Sequence, residues 1–136
     1  MRVVIDTNVI VSAIYKPDSP PGLVLDASIR GRVRLCAPES VRKELRRVLE
    51  AVLTFSADEV EETVALLPIE WIEEGLFADE LARARRLLRD PTDAPILACA
   101  FALGCDIVSG DRDLQVVRAP GIHVWSPADF GGRRRR

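Results

Sequence analysis

Residues 92–111 read Thr92-Asp93-Ala94-Pro95-Ile96-Leu97-Ala98-Cys99-Ala100-Phe101-Ala102-Leu103-Gly104-Cys105-Asp106-Ile107-Val108-Ser109-Gly110-Asp111. The first twelve predict a helix, with Pro95 in its tolerated first turn and Gly104 as the residue that ends it. Asp106–Ser109 predicts a buried strand. Little more than Gly104 separates the two, and so short a connection forces helix and strand to run antiparallel. The start of the helix, with Asp93, then lies beside the end of the strand, with Asp111 just beyond it.

The same alternation continues outward. Met1–Ile5 is a short apolar run followed by Asp6-Thr7-Asn8 and an apolar helical start, Val9–Ile14. A breaker cluster, Ser19-Pro20-Pro21-Gly22, precedes a helical stretch, Leu23–Ile29, stopped by Gly31. Val33–Ala37 reads as a second strand and Pro38 opens a helix to about Leu53, with an apolar stripe of Val41, Leu45, Val48 and Val52. Ser56 with Glu59 is a capping-box signature for a helix to about Leu67. Ile69–Ile72 predicts a third strand, Ala78–Leu88 an arginine-rich helix, and Ile122–Trp125 a fifth strand. Strands alternating with helices define an α/β fold with a mostly parallel central sheet of four to five strands. We expect a single domain over residues 1–130 and an unstructured Gly/Arg tail over 131–136.

Composition bounds the function. At 136 residues with 48% hydrophobic and 29% charged, the chain has enough apolar material for one core. No run of about 18 uncharged apolar residues suggests a membrane span, and Asp6 interrupts any secretory leader, so a cytoplasmic protein is expected. Residues 1–132 hold 15 basic against 21 acidic residues, a formal −6. Such a body does not attract nucleic acid in bulk, but it is compatible with a nucleic-acid enzyme whose acids hold metal ions. Cys36, Cys99 and Cys105 match no zinc or CxxC spacing and read as core residues. His123 is the only histidine, which excludes a metal site with two histidines.

Two acids fall where packing favours apolar side chains. Asp93 is in line with Ile96, Leu97 and Ala100, and Glu44 lies on the shoulder of the Val41–Val48 stripe. A buried carboxylate must be paired, capped or metal-bound. In a parallel sheet all strand C-termini share one edge, where open α/β sheets place their sites. Asp6 and Asp111 follow strand ends, Asp93 starts a helix beside one, and Glu44 lies about 9 Å down a helix that begins there. Each acid has a bland alternative, as N-cap, turn residue, macrodipole partner or solvated side chain. Their convergence does not. Four carboxylates in one cleft repel unless a cation joins them, and oxygen-only ligands select Mg²⁺ or Mn²⁺. The chemistry that fits is phosphodiester hydrolysis.

Val4-Ile5-Asp6-Thr7-Asn8-Val9-Ile10, Glu44 after the second strand, Asp90-Pro91-Thr92-Asp93 and Ser109-Gly110-Asp111-Arg112-Asp113-Leu114 together resemble the PIN-domain family, most closely the VapC-type toxins of bacterial toxin–antitoxin pairs. The resemblance spans residues 1–130. It implies a three-layer α/β/α fold and a Mg²⁺- or Mn²⁺-dependent endoribonuclease with a metal-holding quartet of Asp6, Glu44, Asp93 and Asp111. It also implies supporting roles for Thr7 and Asn8, a homodimer, an RNA substrate and an antitoxin partner that fills the acidic cleft with a basic side chain; Asp113, two residues beyond Asp111, is from its position a candidate outer ligand. Thr92 stands where the family often has a second acid, in a position to cap its helix. The arginine tail is no part of the resemblance. The competing readings are a non-catalytic module of the same fold, a receiver domain, and an aspartyl phosphatase. The receiver pattern needs a lysine late in the chain, and none follows Lys43; the phosphatase pattern needs Asp-x-Asp where Asp6-Thr7-Asn8 stands.

Overall fold

The computed structural model describes residues 1–134. Five strands, β1 (Arg2–Ile5), β2 (Arg34–Pro38), β3 (Ile69–Ile72), β4 (Asp106–Val108) and β5 (Val124–Trp125), form one sheet in the order β3-β2-β1-β4-β5. Every pairing is parallel, with Val4 opposite both Cys36 and Ile107. The chain therefore moves one way from β1 to β3 and returns to add β4 and β5 on the other side of β1. Right-handed crossovers then put the two sets of connections on opposite faces. On one side α1 (Thr7–Tyr15), α2 (Pro20–Ile29), α3 (Glu39–Ala51), α4 (Ala57–Leu66) and α8 (Pro127–Arg134) contact one another in turn. On the other, α6 (Ala94–Leu103) packs against β1, β2 and β4, with α5 (Leu81–Leu87) alongside it. The result is the expected three-layer α/β/α arrangement.

Both faces of the sheet are covered, so its central strands are apolar on consecutive positions: Val3, Val4, Ile5, Leu35, Cys36, Ala37, Ile107 and Val108 are all buried. Local chemistry sets the helix ends. Ser56 and Glu59 form the capping box of α4, and Ser19 caps α2 through Gly22 N–H. Gly22 allows that turn because a Cβ there would stand 2.0 Å from the Pro17 carbonyl oxygen. Gly104 ends α6 at φ +62°, the left-handed conformation that glycine adopts without a steric cost.

Some expectations need correction. In α3 the buried stripe is Val41, Leu45 and Leu49; Val52 lies past the helix end and is exposed. The reading from Pro38 carried the stripe a turn too far. The tail is not unstructured from Gly131: α8 continues to Arg134, because Ser126 accepts from Asp129 N–H at its start and Phe130, 1% exposed, anchors it to the core. Arg135 and Arg136 lie outside the described residues. The three cysteines are free thiols, Cys36 and Cys99 buried, with burial pushing both up to about 12. Among the described residues no helix is long and apolar enough to cross a membrane.

Candidate functional site

The strand order reverses between β1 and β4, so the crevice at their C-terminal ends is the topological switch point, where doubly wound sheets bind ligands. Asp6 follows β1, and Ser109 and Asp111 follow β4, at this crevice. Asp6 is only 6% exposed. Its Oδ1 accepts from Val9 N–H at 3.0 Å, capping α1, and its Oδ2 accepts from the Ser109 hydroxyl. Burial raises its pKa; Ser109 and Val9 oppose the rise by bonding to the charged form, and the charges of Asp111 and Glu44 add to it.

Asp93 sits between the 3₁₀ turn Pro91–Asp93 and α6, partly buried. Its carboxyl is pushed up to about 7, first by burial, then by the charge of Asp111 and a side-chain hydrogen bond with it, then by Asp90 and Asp6. Its Oδ2 is buried and has no hydrogen-bond partner among the described residues. Asp111 caps α7 (Arg112–Gln115) by accepting from Asp113 N–H at 2.8 Å, and its own N–H donates to Ser109 Oγ at 3.0 Å.

Glu44 reaches the crevice from α3. Thr7, 4% exposed, donates its hydroxyl to Glu44 Oε2 at 3.1 Å, while Arg47 approaches Oε1 at 3.9 Å. Half of the Glu44 side chain remains in solvent. The charges of these acids act on one another in pairs: Asp93 feels Asp111 and Asp6, and Asp6 feels Asp111 and Glu44.

The supporting residues divide. Thr7 orients Glu44. Asp113 is half-buried and serves Asp111 through its backbone N–H. Asn8 is exposed and makes no hydrogen bond to Asp6 among the described residues. The cap of the 3₁₀ turn is Asp90, not Thr92: Asp90 Oδ1 accepts from Thr92 N–H at 3.0 Å and from its hydroxyl at 2.8 Å, which lowers the Asp90 pKa. Arg83 is held over the Phe101 ring, 3.8 Å from its centroid, and beside Glu80, so it is committed to the α5–α6 interface. His123 is exposed and lies edge-on to Trp125, and its backbone N–H donates to Asp106. Sequence reading missed Ser109, which is fully buried and bridges Asp6 to the Asp111 backbone. A small polar residue leaving a buried strand was the available signal.

Among the described residues no three of these side chains stand as a ready-made cation cage. The donor set nonetheless fits a hard divalent cation. It is all oxygen, it includes a buried carboxylate oxygen without a hydrogen-bond partner among the described residues, and Asp6 and Asp93 hold their protons more tightly through burial and through the charges of neighbouring acids, which a cation would offset.

A doubly wound parallel sheet with carboxylates at its switch point defines a class of α/β protein with an acidic site at the sheet edge. The chain belongs to the PIN-domain family, whose model (PIN domain) matches residues 2–113. No curated protein matches the sequence. Among solved structures, a chain of a toxin–antitoxin complex from Klebsiella pneumoniae is similar with a TM-score of 0.69 and 18% identity, over 92% of this chain and 97% of that one. A chain of the VapBC2 crystal structure from Rickettsia felis, bound to a DNA fragment from their promoter, is similar at 0.61 and 19%, over 93% and 98%. At these identities the two likenesses show the fold.

Proposed function

We propose that this chain is a Mg²⁺- or Mn²⁺-dependent endoribonuclease, the toxin of a toxin–antitoxin pair. In this reading Asp6, Asp93 and Asp111 hold the cation, and Glu44 completes the site as the base. The observation that carries it is Asp93: a partly buried carboxyl at the switch point, pushed up to about 7 by burial and by Asp111, with one buried oxygen that has no hydrogen-bond partner among the described residues. A site kept only for packing gains nothing from that arrangement. Membership of the PIN-domain family and the toxin–antitoxin context of the two similar folds support the reading.

When bound, a divalent cation supplies positive charge that stabilises developing negative charge on phosphoryl oxygens. The chain's own residues do the rest. Asp6 is immobilised by Val9 N–H and the Ser109 hydroxyl, so its carboxylate enters the reaction already oriented. Asp93 contributes the buried oxygen that no described residue engages. Glu44, half in solvent and steered by Thr7, takes a proton from the attacking water as general base. Arg112, Arg86 and Arg89 are exposed and make no ion pair among the described residues, which leaves them free for substrate phosphates.

The proposed partners are RNA, an antitoxin protein and a second copy of this chain, in the cytoplasm. An antitoxin arginine entering the acids makes physical sense as a bidentate partner standing in for the cation. Exposed Leu23 and Ile29 on α2 are apolar material for a dimer contact; Val60 and Val64 of α4 are core residues and offer none. The test is cleavage of a single-stranded RNA with Mn²⁺, with Mg²⁺ and with chelator. The reading predicts cation-dependent cleavage that chelator and Asp6→Ala abolish. Cleavage that persists in both contradicts it, and no cleavage under any condition favours a binding module of the same fold.

A further inference from the structure

The segment that carries Asp111 has little to hold it. Gly110 has no neighbour near its Cβ position, Arg112 is exposed, and α7 is only four residues long, too short to be stable by itself. Yet Asp111 must keep a set distance from Asp6, which belongs to a different strand. Leu114, fully buried, fixes one side of α7 to the core. The other fixed point is polar. Gln115, the last residue of α7, turns back and donates its Nε2–H to the Ser109 carbonyl at 2.8 Å. Ser109 lies one residue past the last paired position of β4, where Val108 faces Ile5, and it is fully buried. Its carbonyl is therefore a buried acceptor at the end of a ladder, which requires a donor.

Ser109 uses every polar group it has. Its N–H donates to the Trp125 carbonyl at 2.9 Å, its carbonyl accepts from Gln115, and its hydroxyl accepts from Asp111 N–H while donating to Asp6 Oδ2. Each bond has a fixed direction, because the Asp111 N–H can only donate and occupies a hydroxyl lone pair. The route from Gln115 through Ser109 to Asp6 and Asp111 is continuous.

We propose that Gln115 is a positioning residue: its amide straps α7 onto the end of β4 and thereby sets the spacing of Asp6 and Asp111 through Ser109. It touches neither acid. The role rests on the proposed function, in which those two acids share a cation. Loss of an outer partner of metal-holding side chains typically weakens metal affinity about 10–100-fold, and Gln115 is expected to fall in that range.

The experiment uses Gln115→Met, which keeps the length of the side chain and removes the donor, and Gln115→Lys, which keeps a donor. Val117→Ala, a truncation of a buried residue in the following loop, controls for lost stability. Mn²⁺ alone is titrated into each protein and followed by electron paramagnetic resonance. Amide exchange at Asp111 and Asp113 is measured in chelator. Expected results are Mn²⁺ affinity at least about tenfold weaker in Gln115→Met, partial rescue in Gln115→Lys, wild-type affinity in Val117→Ala, and faster Asp111 and Asp113 exchange in Gln115→Met. Wild-type Mn²⁺ affinity in Gln115→Met overturns the strap and leaves the proposed function standing. Equal losses in Gln115→Met and Val117→Ala also overturn it, since general loosening then accounts for both. A wild-type protein that takes up no Mn²⁺ overturns the proposed function and the strap's role with it.

Discussion

Asp93→Asn separates stability from function, and the structure sets both the sign and the size of the effect. The substitution keeps shape and removes the ionisable proton. In the folded, cation-free protein the carboxyl is pushed from an ordinary 3.8 to about 7, chiefly by burial and by Asp111. Between those values the folded chain holds a proton that the unfolded chain has lost, so this group's contribution to stability falls as pH rises through that window and stays low above it. At about 1.4 kcal/mol per decade the ceiling is roughly 4 kcal/mol. Asp93 is only partly buried and water screens it, which reduces the expected gain from Asn to about 1–2 kcal/mol. A charge in the first turn of α6 is mildly favoured by the helix dipole, which trims the gain further. Thermal melts in chelator should therefore show Asp93→Asn higher than wild type by about 3–8 °C at pH 8, and equal to it near pH 4. Adding Mg²⁺ should raise the wild type alone, because binding to the native state stabilises it. A mutant that melts below wild type in chelator at pH 8, or by the same margin at both pH values, refutes the reasoning.

Other outcomes follow from the same contacts. Asp6→Ala removes the α1 cap and the acceptor of the Ser109 hydroxyl, and should cost about 1–3 kcal/mol in urea denaturation while abolishing cleavage. Glu44→Gln, at a half-exposed side chain, should shift stability by no more than about 0.5 kcal/mol, yet lower the cleavage rate about 100-fold through loss of the base. Phe130→Ala should cost about 3–5 kcal/mol and release α8 from α2, read as exchange confined to those two helices in hydrogen-exchange mass spectrometry.

Much of the architecture was legible because it depends on local signals that agree. The single glycine between α6 and β4 dictated their antiparallel packing, and that alone brought Asp93 to the end of β4. The consecutive apolar residues of β1 and β2 announced strands buried on both faces, hence a parallel sheet. What stayed hidden depends on which neighbour a side chain meets. Ser109 and Gln115 look ordinary in sequence, since their importance lies in a carbonyl and a hydroxyl that only the fold brings together. Thr92 does not cap α6, because its N–H and hydroxyl both donate to Asp90, which caps the 3₁₀ turn ahead of that helix. The end of the chain was misread because composition speaks for solvation, whereas one buried ring, Phe130, fixes a helix there.

The most direct measurement is the anomalous scattering of crystals grown from the wild-type chain and soaked in Mn²⁺. A peak ringed by carboxylate oxygens of Asp6, Asp93 and Asp111, absent from Asp93→Asn crystals treated alike, is the predicted result. Clear density for those side chains with no manganese among them, at concentrations that support cleavage, contradicts the account.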